Sequence, residues 1–215
     1  MTKVGVLLSG CGMYDGSEVH EATLTLYFLD RAGVEIICMA PDISQLEVID
    51  HLKSESVSEK RNVLVESARI ARGDIKDIKE VKASDLDALV IPGGLGAAKN
   101  LCNFAVEGAD CTVVPEVERL IKETHEAGKP VGFICIAPVI AAKVLGATVT
   151  IGNDRDTATT IEKMGGKHIV CGVDEIAVDE KNKVVSTPAY MLGPTISRVA
   201  LGIEKLVAKV LDLTR

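Results

Sequence analysis

The sequence predicts an α/β fold, a mostly parallel sheet with helices on both faces. Three observations carry this. Short continuous apolar runs, rich in Val, Ile and Leu, alternate along the 215 residues with amphipathic helical stretches. Several runs break at once into Gly-containing turns, as buried parallel strands do when they feed a helix. Hydrophobic residues make up 47% of the chain but aromatics only 3%, so the core is aliphatic. That length and composition suit one compact domain over residues 1–215.

Val4 to Leu8 reads as the first buried strand. A Gly-rich turn, Ser9 to Gly16, follows. It is neither G-x-G-x-x-G nor a P-loop, so it does not predict a dinucleotide or phosphate site. Ser17 is the expected cap of a helix carrying Glu18, His20 and Glu21 in its first turns and running to Ala32, where Gly33 ends it. Val34 to Met39 closes the first β-α-β unit. Residues 40–85 read as irregular, with Arg61 to Val65 a short or edge strand and Glu66 to Arg72 a helical turn. Ala88 to Ile91 is a clear buried strand, followed at once by Pro92-Gly93-Gly94. Lys99 to Cys111 is a loop or short helix.

Pro115 opens a helix at its first position, and Gly128 ends it. The 131–135 strand then breaks at Cys135 into a helix reaching Leu145. Thr148 to Ile151 is a further strand, and Asp156-Thr157 opens a helix that Gly165-Gly166 ends. Lys167 to Val170, Glu175 to Val178 and Val184 to Thr187 are short β segments. Asp179 to Asn182 turns between the last two. Gly193-Pro194 begins the closing amphipathic helix to Asp212.

In open parallel sheets ligands bind beyond the carboxyl ends of the strands. Three pieces converge there: the first loop and helix with Glu18 and Glu21, the Gly93-Gly94 turn, and Cys135. A cysteine at a strand-to-helix break faces unpaired N–H groups that favour its thiolate. Cys135 is therefore either a nucleophile or a small buried hydrophobe. The N–H groups of Gly94 and Ile136 could hold an oxyanion. Glu21 or Glu18 could bond the sulfur or act as acid and base, or simply complement the helix dipole. His20 sits about 100° around the helix from Glu21 and would serve the same site less easily. His51 and His125 read as surface residues, and His168 as structurally satisfied.

The net charge of −7 leaves no electrostatic footprint for nucleic acid. No apolar run approaches the ~18 residues of a membrane span. The six cysteines, at 11, 38, 102, 111, 135 and 171, form no C-x-x-C pair. Neither a zinc ribbon nor any other metal site is expected, and the thiols read as free in a reduced, cytoplasmic protein.

Ile91-Pro92-Gly93-Gly94, Gly132-Phe133-Ile134-Cys135-Ile136-Ala137-Pro138 and Gly16-Ser17-Glu18-Val19-His20-Glu21 together resemble the DJ-1/PfpI superfamily of class I glutamine-amidotransferase-like proteins. The end of the chain, Ser186 to Met191 and Gly193-Pro194-Thr195, fits as well, and the ES1-like branch is the nearest. The resemblance implies a flavodoxin-like three-layer sandwich with Cys135 on a strained elbow and Glu21 as the carboxylate meeting the thiol. It implies a cofactor-independent glyoxalase-like activity on a small aldehyde, an association with isoprenoid biosynthesis, and a homodimer. Gly93, Glu18, Asn153 and Tyr190 are the expected pocket neighbours. Ile136 stands where the protease-like branch has His, and no downstream His–Glu pair is present. The position where relatives carry a strand-end His falls near Gly152-Asn153-Asp154. Two alternatives remain beside the enzyme: a redox-sensing or stress-response protein whose Cys135 oxidises, and a glutaminase-like subunit.

Overall fold

A computed structural model describes residues 1–215. The strands, in chain order, are β1 (Lys3–Leu7), β2 (Glu35–Ala40), β3 (Val48–Asp50), β4 (Glu55–Val57), β5 (Lys76–Asp77), β6 (Ala88–Ile91), β7 (Val131–Ile134), β8 (Thr148–Val149), β9 (Lys167–His168), β10 (Ala177–Asp179) and β11 (Val184–Thr187). The helices are α1 (Val19–Arg31), α2 (Val63–Ile70), α3 (Leu95–Lys99), α4 (Phe104–Glu107), α5 (Pro115–Glu126), α6 (Pro138–Leu145), α7 (Arg155–Lys163) and α8 (Ile196–Asp212).

Seven strands form the main sheet in the order β10-β11-β7-β6-β1-β2-β5. All pair in parallel except β10, which turns back on β11. This is the flavodoxin-like α/β architecture expected. β6, β7 and β11 are buried along their whole length, which is why they read as unbroken apolar runs. Gly132 faces α8: a Cβ there would meet Leu206 Cδ2 at 2.9 Å and Val210 Cγ2 at 3.1 Å. Phe133 alternates to the opposite face and is fully buried. α8 buries Val199, Ile203, Leu206, Val207 and Val210, one stripe at helical spacing.

Four expectations need correction. Arg61 to Val65 is not a strand: Asn62 Oδ1 accepts from Val65 N at 3.0 Å and starts α2. The cap and the burial of Val63 and Ser67 outweigh the β-branched preference there. Residues 40–62 are not all irregular, since β3 and β4 form an antiparallel hairpin. Ser17 does not cap α1; Glu18 does, its carboxylate accepting from Glu21 N at 2.7 Å. Ser17 Oγ instead accepts from Ser9 N at 2.9 Å inside the first loop. The strand expected over Thr148 to Ile151 is only Thr148–Val149 and lies outside the main sheet. Thr148 N donates to Asp179 Oδ2 at 2.7 Å and Thr150 N to Ser186 Oγ at 2.9 Å. With those donors spent on side chains, only Thr148 and Val149 pair, in parallel with β9 as a separate ribbon.

Candidate active site

The site is assembled where β1, β6, β7 and β11 end. Two loops are laced together by backbone hydrogen bonds: Glu18 N to Gly93 O at 2.9 Å, Leu95 N to Met13 O at 2.8 Å, and Gly96 N to Gly16 O at 2.9 Å. Such close approach of backbone to backbone leaves no room for a side chain. Gly94 also holds φ at 91°, and a Cβ there would fall on Glu18 N and Gly16 O. The lacing fixes the start of α1 over the β6 turn and so brings Glu21 inward.

Cys135 follows β7 with φ at 62°, a left-handed conformation that costs a non-glycine residue of order 1–3 kcal/mol. Its N–H donates to Thr187 O at 2.9 Å, and α6 begins three residues on with Pro138 at its first turn. The surrounding bonds hold the elbow that the sequence predicts. Cys135 is 7% exposed and the Glu21 side chain is fully buried against it. Glu21 Oε2 accepts from Gly93 N at 3.0 Å and Oε1 from Tyr190 N at 3.1 Å. The Cys135 side chain packs beside the Glu21 carboxyl, both against Gly93.

Burial raises the Glu21 pKa to about 8; the charge of Glu18 adds to the rise, while the bonds from Tyr190, Cys135 and Gly93 oppose it. Burial also pushes the Cys135 thiol well above its ordinary range, and a charged Glu21 would push it further. The N–H groups of Gly94 and Ile136 face the sulfur and act the other way. At neutral pH the pair therefore holds both protons in most molecules. The sequence leaves the protonation state of Glu21 open; its complete burial decides it.

Above the pair lies a cavity of about 600 Å³ lined by Met13, Tyr14, Glu18, His20, Gly94, Leu95, Cys135, Ile136, Thr157, Tyr190 and Met191. A concavity of about 710 Å³ lies at the amino ends of β1, β2 and β5, among Lys3, Glu35 and Lys76, remote from this chemistry. Of the predicted residues, Cys135, Glu21, Gly93, Gly94, Ile136, Glu18 and Tyr190 come together. Gly93 lies beneath the pair, where a Cβ would fall on Cys135 Cβ and lie 2.7 Å from Glu21 Oε2. Asn153 does not join them: it is exposed, just ahead of the Asp154 cap of α7.

His20 corrects another expectation. It lines the cavity, its Nδ1 lying 2.8 Å from Tyr190 Oη, because the chain after β11 folds back over the start of α1. Sequence spacing measures its angle from Glu21 but not where Tyr190 lies. His125 is half-buried, with Nδ1 3.2 Å from Asn182 O, rather than a free surface residue. His51 remains largely exposed, and His168 Nε2 accepts from Ile151 N at 3.3 Å. Met13, Tyr14, Leu95, Thr157 and Met191 are pocket residues that the sequence reading missed. The first three flank the Gly-rich turns, a usable signal. Thr157 enters from α7 with no local signal at all.

The model of the DJ-1/PfpI family matches residues 12–190. A human protein named glutamine amidotransferase-like class 1 domain-containing protein 3, mitochondrial, is 52% identical over 223 aligned positions, spanning 99% of this chain and 83% of its own length. The ES1 protein, mitochondrial, of Danio rerio is 38% identical over 208 positions, 88% of this chain and 77% of its own. A crystal structure from Ehrlichia chaffeensis, described as an isoprenoid biosynthesis protein with amidotransferase-like domain, superposes with a TM-score of 0.94 at 40% identity over 100% of both chains. The mitochondrial names of the curated relatives overturn the expectation of a cytoplasmic location. Neither free thiols nor an acidic surface says which compartment holds the chain.

Proposed function

The chain belongs to the DJ-1/PfpI family, and from that premise we propose that it is a cofactor-independent glyoxalase-like enzyme, converting glyoxal or methylglyoxal and water to glycolate or lactate. One observation carries the reading: Cys135, on its left-handed elbow, lies against the fully buried carboxyl of Glu21, whose pKa burial raises. A carboxylate of that basicity is a far stronger base than an exposed one. At pH 7 a minority of the molecules hold it ionised.

The chemistry runs as follows. Glu21 as carboxylate takes the thiol proton while Sγ adds to the aldehyde carbon. The carbonyl π bond opens, and the oxygen receives that proton, giving a hemithioacetal. Glu21 then takes the hydrogen of the same carbon as a proton, and the electron pair passes into an enediol. Return of a proton to the neighbouring carbon leaves a thioester of the hydroxy acid, one carbon oxidised and its neighbour reduced. Water adds to the thioester, the carbon–sulfur bond breaks, and the acid leaves with the thiol restored. The Gly94 and Ile136 N–H groups are the donors available to the oxyanion of the addition steps.

The redox reading draws support from the protonated Glu21, a donor to any sulfinate formed on Cys135. The raised thiol weighs against it, because oxidation follows thiolate character. For a glutaminase, the histidine on the cavity wall is His20, already engaged with Tyr190. From the Ehrlichia chaffeensis relative we carry over an association with isoprenoid biosynthesis, which specifies no reaction.

The test is single-turnover and steady-state assay against glyoxal and methylglyoxal with wild type, Cys135→Ala and Glu21→Gln. We expect Cys135→Ala to abolish turnover and Glu21→Gln to lower it by at least about 10²-fold. Equal rates for wild type and Cys135→Ala would remove the enzyme reading.

A further inference from the structure

The cavity above Cys135 is far larger than the substrates that its chemistry alone requires. Its volume of about 600 Å³ lies in the range that holds ligands of drug size. Two-carbon glyoxal would occupy only the floor. Beyond the sulfur most of the wall is apolar, formed by Met13, Leu95, Ile136, Met191 and the Tyr190 ring, with Glu18, His20 and Thr157 as its polar members. Met13 and Leu95 are 43% and 37% exposed, both at the rim. Methionine on a binding wall adapts to different apolar shapes at little cost.

The charges point the same way. No Lys or Arg lines the cavity, whereas Glu18 does and Glu21 lies beneath it. Lys99, at the end of the helix that begins with Leu95, directs its ammonium to the Tyr14 carbonyl and the Glu47 carboxylate. An anionic tail would lose water and meet no Lys or Arg, only the His20 imidazole, whose Nδ1 is engaged with Tyr190 Oη. The hydroxy-acid product, itself an anion, would form beside Glu18 with no Lys or Arg to hold it.

Resting on the glyoxalase reading above, we infer that the site is shaped for a 2-oxoaldehyde bearing an uncharged apolar substituent, in preference to glyoxal or to an aldehyde with an anionic tail. The aldehyde carbon sits at Cys135, and the substituent lies along Met13, Leu95 and Met191. Each methylene taken from water is worth about fourfold in kcat/KM.

The experiment compares kcat/KM for methylglyoxal, hexylglyoxal and carboxyethylglyoxal. Hexylglyoxal is expected to exceed methylglyoxal by at least about tenfold, with carboxyethylglyoxal below both. Met13→Ser, at an exposed loop position, and the double variant Met13→Ser/Leu95→Ser are expected to reduce the hexyl-to-methyl ratio, the double by at least about threefold. A ratio of one or less in the wild type, or carboxyethylglyoxal as the best substrate, overturns the inference. If no aldehyde turns over above the Cys135→Ala background, the glyoxalase reading falls separately. Equilibrium binding to the Cys135→Ala protein then decides this inference. Hydroxymethyl hexyl ketone binding at least about tenfold tighter than hydroxyacetone supports an apolar site. Equal or undetectable binding overturns it.

Discussion

Glu21 behaves as a weak acid because no water reaches it and two backbone N–H groups do not replace the lost hydration. The consequence for stability has a definite sign. In the unfolded chain the side chain ionises near 4.5, and in the folded protein near 8. Between those values the native state holds a proton that the unfolded chain has released. Stability therefore falls as pH rises through that window, on the order of several kcal/mol in full. Glu21→Gln stays neutral but turns an amide donor toward Gly93 N or Tyr190 N, a loss of about 1–3 kcal/mol. Denaturant melts should show the variant less stable than wild type at about pH 5.5, and the gap closing or reversing by about pH 9. A gap independent of pH would mean that Glu21 is not buried neutral. Gly93 is the other decisive residue. Gly93→Ala should cost about 3 kcal/mol or more and displace Cys135, measured as lost thermal stability together with lost turnover. A variant with wild-type melting would place the turn farther from the sulfur than it stands here.

At the scale of elements, caps and side chains decide where the backbone donors go. Asn62 caps a β-prone Val-Leu-Val stretch as a helix, and the Asp179 side chain on β10 takes up the Thr148 N–H of β8. Burial alone would raise the Asp179 pKa, but the bonds from Thr148 N, Asn182 Nδ2 and Asn182 N outweigh it and hold the group below its ordinary value. A depressed carboxyl contributes stability above its unfolded value near 3.8, and loses it as pH falls through the folded value. Asp179→Asn should therefore cost about 1.5–3 kcal/mol at neutral pH, with the difference from wild type shrinking in acid melts. Persistence of the full difference at low pH would assign the effect to packing.

For the whole molecule, α8 closes one face of the sheet. Leu206 is fully buried and stands over the side-chain-free strip at Gly132. Leu206→Ala leaves a hole between helix and sheet that neither can fill, and should cost about 2–5 kcal/mol by urea denaturation with an unchanged m value. A loss under about 1 kcal/mol would show that α8 packs loosely. The same packing bears on the site, since α8 contacts the short turn holding Ala189 to Met191, and that turn donates Tyr190 N–H to Glu21.

The sequence by itself determined the sheet class, the central strands and the elbow at Cys135. Each is a local signal: an apolar run of strand length, a Gly pair after it, and a Cys between strand and helix. It also indicated Gly93, Gly94 and a carboxylate from Glu18 or Glu21, because the first helix and the two turns must emerge at the same end of a parallel sheet; the family resemblance singled out Glu21. Tertiary structure alone decided the rest. Residues 40–62 and the β8–β9 ribbon take their form from side chains distant in sequence, Asp15 and Asn100 for the first and Asp179 and Ser186 for the second. His20 and Thr157 enter the cavity because of what folds beside them. Asn153 leaves it for the same reason. The protonation of Glu21 belongs to this class too, since a pKa follows desolvation and neighbouring dipoles, and both are properties of the packed molecule.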